Sequence, residues 1–166
     1  VVKSLVDGVA GLLKKNHIEW IKGRAKLKDA HTVEVNGNLY NAQNIILATG
    51  SEPIPLPFLP FDEKKVVSST GVLSLKSVPK KLLVVGAGVI GVELASVYRR
   101  LGSEVIIVEM LDRITPAMDN AISRALLQIL KKQGLVFHLG AKVLGAETAK
   151  NGVKLNVESP EGKVEL

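Results

Sequence analysis

The sequence contains no cysteine. A chain without cysteine forms no disulfide framework and no thiolate zinc site, and it performs no thiol chemistry with its own side chains. The three histidines do not replace those ligands, because His17, His31 and His138 each lack a second ligand at the spacing that metal sites use. We therefore predict that these 166 residues hold no metal.

Aromatic residues are also scarce, at 4% of the chain. The net charge of +6 raises the question of a nucleic-acid partner. Lys22, Arg24, Lys26 and Lys28 alternate along a predicted strand, which is typical of a solvated face. Because the chain also lacks an aromatic platform on which bases would stack, we predict no nucleic-acid partner.

The longest apolar stretch, residues 82–98, does not read as a membrane span. It contains Glu93 and three glycines, and its length is near the lower limit for crossing a bilayer. Pairs of basic residues flank it on both sides, so there is no charge asymmetry to orient a span. We therefore predict no membrane partner and assign the stretch to a buried strand and helix.

The organising feature of the chain is the stretch KLLVVGAGVIGVELASVYRRLGSEVIIVE. The apolar run at 82–85 is typical of a parallel strand covered on both faces, and it leads directly into G-x-G-x-x-G at 86–91. Apolar residues then recur at helical spacing until Gly102, which predicts the end of a helix. A second buried strand at 105–108 follows. The pattern predicts a strand, turn, helix and strand that bind a dinucleotide.

Each glycine of this fingerprint has a physical task. Gly86 permits the sharp turn, Gly88 lets the backbone approach a diphosphate, and Gly91 lets the helix lie close to the sheet. Glu109 ends the second strand, where a carboxylate accepts hydrogen bonds from the adenosine ribose. A ribose phosphate would be repelled there, so the sequence favours NAD over NADP. Arg113, four residues further, is the alternative, because an arginine in this region serves a phosphate.

The rest of the chain reads as two groups of short elements around a stiff linker. Residues 1–16 predict an amphipathic helix, and residues 52–62 carry four prolines, which marks a domain boundary. Between them we predict short strands at 18–21, 25–27, 32–35, 39–40 and 44–47, with a turn at 36–38. After the dinucleotide unit we predict a helix that begins at Asp119 and has Ile122, Leu126, Ile129 and Leu130 on one face. A strand at 135–139 follows. We then predict meander strands at 142–147, 153–158 and 163–166, with a turn at Asn151 and Gly152.

Several of these segments carry a resemblance beyond the glycine fingerprint: IILATGSEP, VVSSTGVLSL, VPKK, GAGVIGVEL and VEMLDRITPAMD. Together they resemble the dihydrolipoyl dehydrogenases, a family of flavin-containing disulfide oxidoreductases, over essentially the whole chain. The resemblance implies an α/β, Rossmann-like three-layer FAD/NAD(P)-binding fold with a parallel sheet and a β-meander. It implies that residues 1–52 are the C-terminal part of an FAD-binding domain, 53–79 a linker, and 80–166 an NAD-binding domain without its last strand, so that the chain is truncated at both ends.

The resemblance also implies which residues contact the two cofactors. On the NAD side the family's motif matches Gly86, Ala87, Gly88, Val89, Ile90, Gly91, Val92, Glu93, Glu109 and Val143. On the FAD side it matches Thr49, Gly50, Ser51 and Ala25, where Ala25 replaces a glycine of the family. Glu93 is an unusual residue for a buried helix that faces the sheet. The family's redox cysteines and its His–Glu base match nothing here, so the chain holds no catalytic residue.

The implied activity is oxidation of dihydrolipoamide through FAD, with hydride transfer to NAD. The implied partners are the lipoyl domains of 2-oxo acid dehydrogenase complexes and of the glycine cleavage system, together with a second copy in a homodimer. The implied location is the mitochondrial matrix in a eukaryote and the cytoplasm in a bacterium. Two alternatives stay open, namely a non-catalytic NAD-sensing module and a related disulfide reductase.

Overall fold

A computed structural model describes residues 1–149 and 152–166, and its contacts divide the chain into two units, Val1–Ser51 and Glu52–Leu166. The first unit contains helix α1 (Val2–Lys15) and an antiparallel sheet of β1 (Ala25–Leu27), β2 (Thr32–Val35) and β3 (Asn38–Asn41). These elements confirm the predicted helix and three of the predicted strands.

The predicted turn between β2 and β3 is a two-residue hairpin turn. Asn36 and Gly37 both have positive φ, at 53° and 83°. Left-handed backbone at both central positions is typical of the type I′ turn, whose twist matches that of the flanking strands. Asn36 also donates from its side-chain amide to the carbonyl oxygen of Lys22, at 2.9 Å. The Asn-Gly pair therefore fixes the register of this hairpin.

Two predicted strands of the first unit are wrong. Residues 18–21 and 44–47 form no strand, and no described residue pairs with either segment. An apolar parallel strand is held by hydrogen-bonded neighbours on its edges, and the described chain supplies none there. As a result, the side chain of Ile46 is 89% exposed. Helix α1 likewise has no buried residue, although Val2, Leu5, Val6, Val9 and Leu12 form an apolar stripe.

The second unit alternates helices with parallel strands and ends in a meander. Its elements are α2 (Ser69–Val72), β4 (Lys81–Val85), α3 (Val89–Arg100), β5 (Glu104–Val108), α4 (Asn120–Lys132), β6 (Val136–His138), β7 (Lys142–Ala149), β8 (Gly152–Ser159) and β9 (Gly162–Glu165). The parallel sheet has the order β4-β5-β6, and β7-β8-β9 form a separate antiparallel sheet. These elements confirm the strand–helix–strand unit, the second helix, the third strand and the meander. Asn151, one of the two residues predicted to form the turn between β7 and β8, lies outside the described residues.

Three layers enclose two buried clusters in this unit. The first cluster lies between the helices and the parallel sheet and contains Val92, Ala95, Val105, Ile107 and Leu130, among others. The second cluster joins the parallel sheet to the meander and contains Val108, Ala141, Val143, Leu155 and Val157. The sheet is therefore sandwiched between helices and a β-meander, which confirms the predicted three-layer α/β fold.

The burial of the parallel strands is uneven. Strand β5 lies in the centre, and its last four residues are buried. Strand β4 lies at the edge of the sheet, and its middle residues are half-buried. Leu82 and Val84 pack against the cluster on the helix side and Leu83 packs against the cluster on the meander side, so both faces of β4 are covered as predicted. No helix in the described part of the chain is long and apolar enough to cross a membrane.

Candidate functional site

The glycine-rich turn lies between β4 and α3, at the carboxyl end of the parallel sheet. Gly86 has φ +101°, and its N–H donates to the carbonyl oxygen of Val108 at 2.8 Å. A Cβ atom added to Gly91 would lie 2.3 Å from the carbonyl oxygen of Gly86. That distance is far below van der Waals contact, so only glycine lets the first turn of α3 lie directly on the loop.

The N-terminus of α3 is open to a ligand. Its N-cap residue is Gly88, which has no side chain to accept a hydrogen bond from the first turn. Gly88 is exposed, and a Cβ atom built on it would meet no heavy atom within 4 Å. The next two residues, Val89 and Ile90, are 46% and 57% exposed. First-turn N–H groups without a protein cap and with the positive end of the helix dipole fit a diphosphate.

Glu109 lies directly against this loop. Its Oε2 accepts a hydrogen bond from the N–H of Ala87 at 2.7 Å, and its Oε1 accepts one from the N–H of Leu111 at 2.8 Å. Glu109 as a whole is half-buried. The acid that ends β5 and the glycine loop that ends β4 are therefore joined by a hydrogen bond. This arrangement can hold a ribose beside a diphosphate.

The other predicted NAD contacts lie in different surroundings. Val92 is 4% exposed and packs in the cluster between the helices and the sheet, so its side chain faces away from the open end of the loop. Glu93, noted above as an unusual residue for a helix that faces the sheet, is exposed, so its carboxylate is not buried. The helix turns its Val92 and Ala95 face to the sheet and leaves Glu93 in solvent. Val143 is buried in the same cluster as Val108, the residue before Glu109.

The predicted FAD contacts all lie in the first unit. Thr49, Gly50 and Ser51 form an exposed segment outside any helix or strand, and Gly50 has φ +78°. Ala25 is exposed at the start of β1, where it pairs with Val35. An exposed segment of small residues fits a backbone contact with a cofactor.

Arg113, the alternative anchor for a phosphate, is engaged elsewhere. Its guanidinium donates to the side-chain oxygen of Asn120 and to the carbonyl oxygen of Pro116, the latter at 3.0 Å. Asn120 is the first residue of α4, and Pro116 lies in the loop before it. The carboxylate of Glu109, and not the guanidinium of Arg113, is therefore the charged group that contacts the loop.

Sequence reasoning missed one residue that contacts the loop. The N–H of Thr115 donates to the carbonyl oxygen of Ala87 at 2.7 Å. A backbone hydrogen bond between residues 28 positions apart does not depend on the side-chain types, so the sequence pattern could not predict it. Among residues 1–149 and 152–166, no group of three or more His, Asp or Glu side chains is placed to hold a metal ion.

Comparison with known proteins places this arrangement in a family. The pyridine nucleotide-disulphide oxidoreductase family matches residues 1–165. The chain belongs to this family. It is 51% identical to a dihydrolipoamide dehydrogenase of Chaetomium thermophilum and 45% identical to a mitochondrial dihydrolipoyl dehydrogenase of Pisum sativum, in each case over 97% of the chain and 33% of the relative. The chain thus spans about a third of the length of these relatives.

Solved structures also share the fold. The chain superimposes on LpdA of Mycobacterium tuberculosis with a TM-score of 0.81 and 23% identity, over 98% of this chain and 38% of that one. The resemblance stated from the sequence motifs is therefore confirmed at the level of the family and the fold.

Proposed function

We propose that the second unit binds NAD at the carboxyl end of its parallel sheet. The observation that carries this proposal is the 2.7 Å hydrogen bond from the N–H of Ala87 to the carboxylate of Glu109. It brings the ribose-binding acid to the loop whose first-turn amides hold a diphosphate. Gly88 leaves those amides uncapped, and Gly91 keeps the helix close to the loop. Val89 and Ile90 flank the same approach.

NAD is the favoured nucleotide because of the charge at this site. The carboxylate of Glu109 accepts hydrogen bonds from a free ribose diol and repels a ribose phosphate. Arg113 does not offset this repulsion, since its guanidinium donates to Asn120 and Pro116. Glu93 and Val143 are further proposed NAD contacts. Val92 is also part of the proposed site, with its side chain packed in the core.

For the whole protein we propose the reaction of the dihydrolipoyl dehydrogenases, by which dihydrolipoamide is oxidised through FAD and hydride passes to NAD. When bound, FAD supplies the two-electron chemistry that amino-acid side chains lack. The residues of this chain bind and orient the cofactors: residues 1–52 belong to the FAD-binding domain, with contacts from Thr49, Gly50, Ser51 and Ala25. Residues 53–79 are the linker, and 80–166 belong to the NAD-binding domain.

The relatives named above support further proposals about the whole protein. Its partners are the lipoyl domains of 2-oxo acid dehydrogenase complexes and of the glycine cleavage system, and it forms a homodimer. Its location is the mitochondrial matrix if the source is a eukaryote and the cytoplasm otherwise; the Pisum sativum relative is a mitochondrial protein.

Calorimetric titration of the chain with NAD and with NADP tests the nucleotide site. We expect NAD to bind more tightly, and tighter binding of NADP would overturn the role of Glu109. The activity is tested on the full-length protein loaded with FAD, by following NAD reduction with dihydrolipoamide and, separately, with reduced glutathione. NAD binding without either reaction would indicate a sensing module, and preference for glutathione would indicate a related disulfide reductase.

A further inference from the structure

The peptide groups of Ala87 are held on both sides by one segment of the chain. Its N–H donates to Glu109 Oε2 at 2.7 Å, and its carbonyl oxygen accepts from the N–H of Thr115 at 2.7 Å. Ala87 is fully buried. Both partners belong to the loop between β5 and α4. The centre of the glycine loop is therefore positioned by this later loop as well as by β4 and α3.

Fixing the Ala87 carbonyl also fixes the next N–H group. The peptide bond is planar and trans, so the carbonyl of Ala87 and the N–H of Gly88 point in opposite directions. When Thr115 holds that carbonyl, the N–H of Gly88 is turned away from Thr115. Gly88 is the exposed N-cap of α3. The hydrogen bond from Thr115 thus sets the orientation of a backbone donor at the open end of the helix.

Thr115 adopts a backbone conformation that threonine rarely takes. Its φ is +44°, and its side chain is 2% exposed. Positive φ is unfavourable for a β-branched residue, and it persists only where the surroundings hold the residue in place. A restraint on Thr115 is therefore required to keep its N–H directed at Ala87.

Ser123 of α4 contributes to this restraint. Its Oγ donates to the carbonyl oxygen of Thr115 at 3.2 Å, and the two hydroxyl oxygens lie 2.9 Å apart, where either can donate. The N–H of Met118 donates to the same carbonyl oxygen at 2.9 Å, so Ser123 alone adds a contact to the side chain of Thr115 as well as to its backbone. Ser123 is 3% exposed, so it cannot itself reach a ligand. Other residues of α4, including Leu130, pack in the core and fix the position of the helix.

We propose that Thr115 and Ser123 are positioning residues of the nucleotide site, acting through the Ala87 peptide on the amide donors of the loop. The expected effect of the two residues on NAD affinity rests on the proposed NAD site. Their expected effect on the loop does not depend on a ligand. The hydroxyl pair fixes the strained turn, the turn fixes the Ala87 carbonyl, and the carbonyl orients the donor that follows.

Ser103 offers a matched control. It is also a buried serine, and its Oγ donates to the carbonyl oxygen of Pro79 at 2.6 Å. Ser103 precedes β5 and Glu109 follows it, so the strand separates the two by roughly 20 Å at about 3.3 Å per residue. Ser103→Ala removes a comparable buried hydrogen bond at the opposite end of the sheet.

The test compares Ser123→Ala with Ser103→Ala in the full chain by two measurements. Without nucleotide, amide hydrogen exchange of Ala87 and Thr115, whose N–H groups are both hydrogen-bonded at the loop, should be faster in Ser123→Ala than in Ser103→Ala. With NAD, Ser123→Ala should raise the dissociation constant by about three- to tenfold, the factor expected for one neutral hydrogen bond, while Ser103→Ala leaves it unchanged. Thr115→Ser keeps the hydroxyl and should behave as the parent chain.

Each outcome bears on the proposal. Equal exchange at Ala87 and Thr115 in the two alanine variants would overturn it, and so would equal NAD affinity in all of them. Equal loss of affinity in both variants would show general destabilisation and would also overturn it. If the parent chain bound no NAD, the proposed function would fail, whereas faster exchange at the loop in Ser123→Ala would still support the positioning role.

Discussion

The phenolic oxygen of Tyr98 donates a 2.6 Å hydrogen bond to the carbonyl oxygen of Val72. Both residues are buried, and the bond ties α2 to α3 behind the glycine loop. Removing the hydroxyl leaves a buried carbonyl without its donor. We therefore expect Tyr98→Phe to lower the local stability by about 1 to 2 kcal/mol, measured by native-state hydrogen exchange of α2 and α3. Tyr40→Phe, which removes a hydroxyl from the other unit, serves as the control and should leave these helices unchanged.

Two glycines of the fingerprint are expected to respond oppositely to alanine. In Gly91→Ala the new methyl group meets the carbonyl oxygen of Gly86, so the loop must shift and unfolding should become easier by about 1 to 3 kcal/mol. In Gly88→Ala the methyl group meets no protein atom, so the chain should fold normally. It would nevertheless occupy the approach to the helix and weaken NAD binding. Urea denaturation and calorimetry separate the two effects, and a destabilised Gly88→Ala would contradict this account.

Replacing Glu109 should affect both the ribose and the loop. Glu109→Ala removes a charged acceptor, and we expect NAD binding to weaken by about 1 to 3 kcal/mol in a calorimetric titration. It should not create a preference for NADP, because Arg113 stays bonded to Asn120 and Pro116. Glu104→Ala removes an exposed acid from the other end of the same strand and should leave the affinity unchanged. Unchanged affinity in Glu109→Ala would place the ribose elsewhere.

The turn before α2 should depend on pH through Asp62. Its Oδ1 accepts N–H groups from Lys64, Lys65 and Val66, each at 2.8 Å, and these bonds lower the pKa of the carboxyl below its ordinary value. A lowered pKa in the folded chain means that the stabilisation is present above the ordinary value and is lost as pH falls through the lowered one. Amide shifts of residues 64–66 should therefore change below about pH 4. In Asp62→Asn that change should be absent, and its persistence would assign it to another group.

The dinucleotide unit was predictable because its determinants are local. Strand β4, the glycine loop, α3 and β5 follow one another in sequence, and the residue types in each segment indicate its backbone conformation. The two strands predicted in the first unit failed for the opposite reason. A run such as residues 44–47 is apolar enough for a central strand, but a strand is defined by its hydrogen-bonded neighbours, and the described chain provides none.

The face of α4 shows a second limit of sequence reasoning. Hydrophobic spacing pointed to Ile122 and Ile129, yet these are 57% and 53% exposed, while Ser123 is buried in their stead. Hydrophobic periodicity does not predict a buried serine, because the burial of its hydroxyl depends on a hydrogen-bond partner in a separate loop. The contact between Thr115 and Ala87 escaped prediction for the same reason. Which residues contact the cofactors stays a prediction.

The uncovered apolar stripe of α1 has a practical consequence for handling the protein. A helix with Leu5, Val9 and Leu12 facing water presents the type of surface that holdase chaperones and hydrophobic chromatography resins capture. We therefore expect residues 1–51 to promote self-association during expression and purification. A version beginning at Glu52 is the better starting material for crystallisation and for spectroscopy of the nucleotide site.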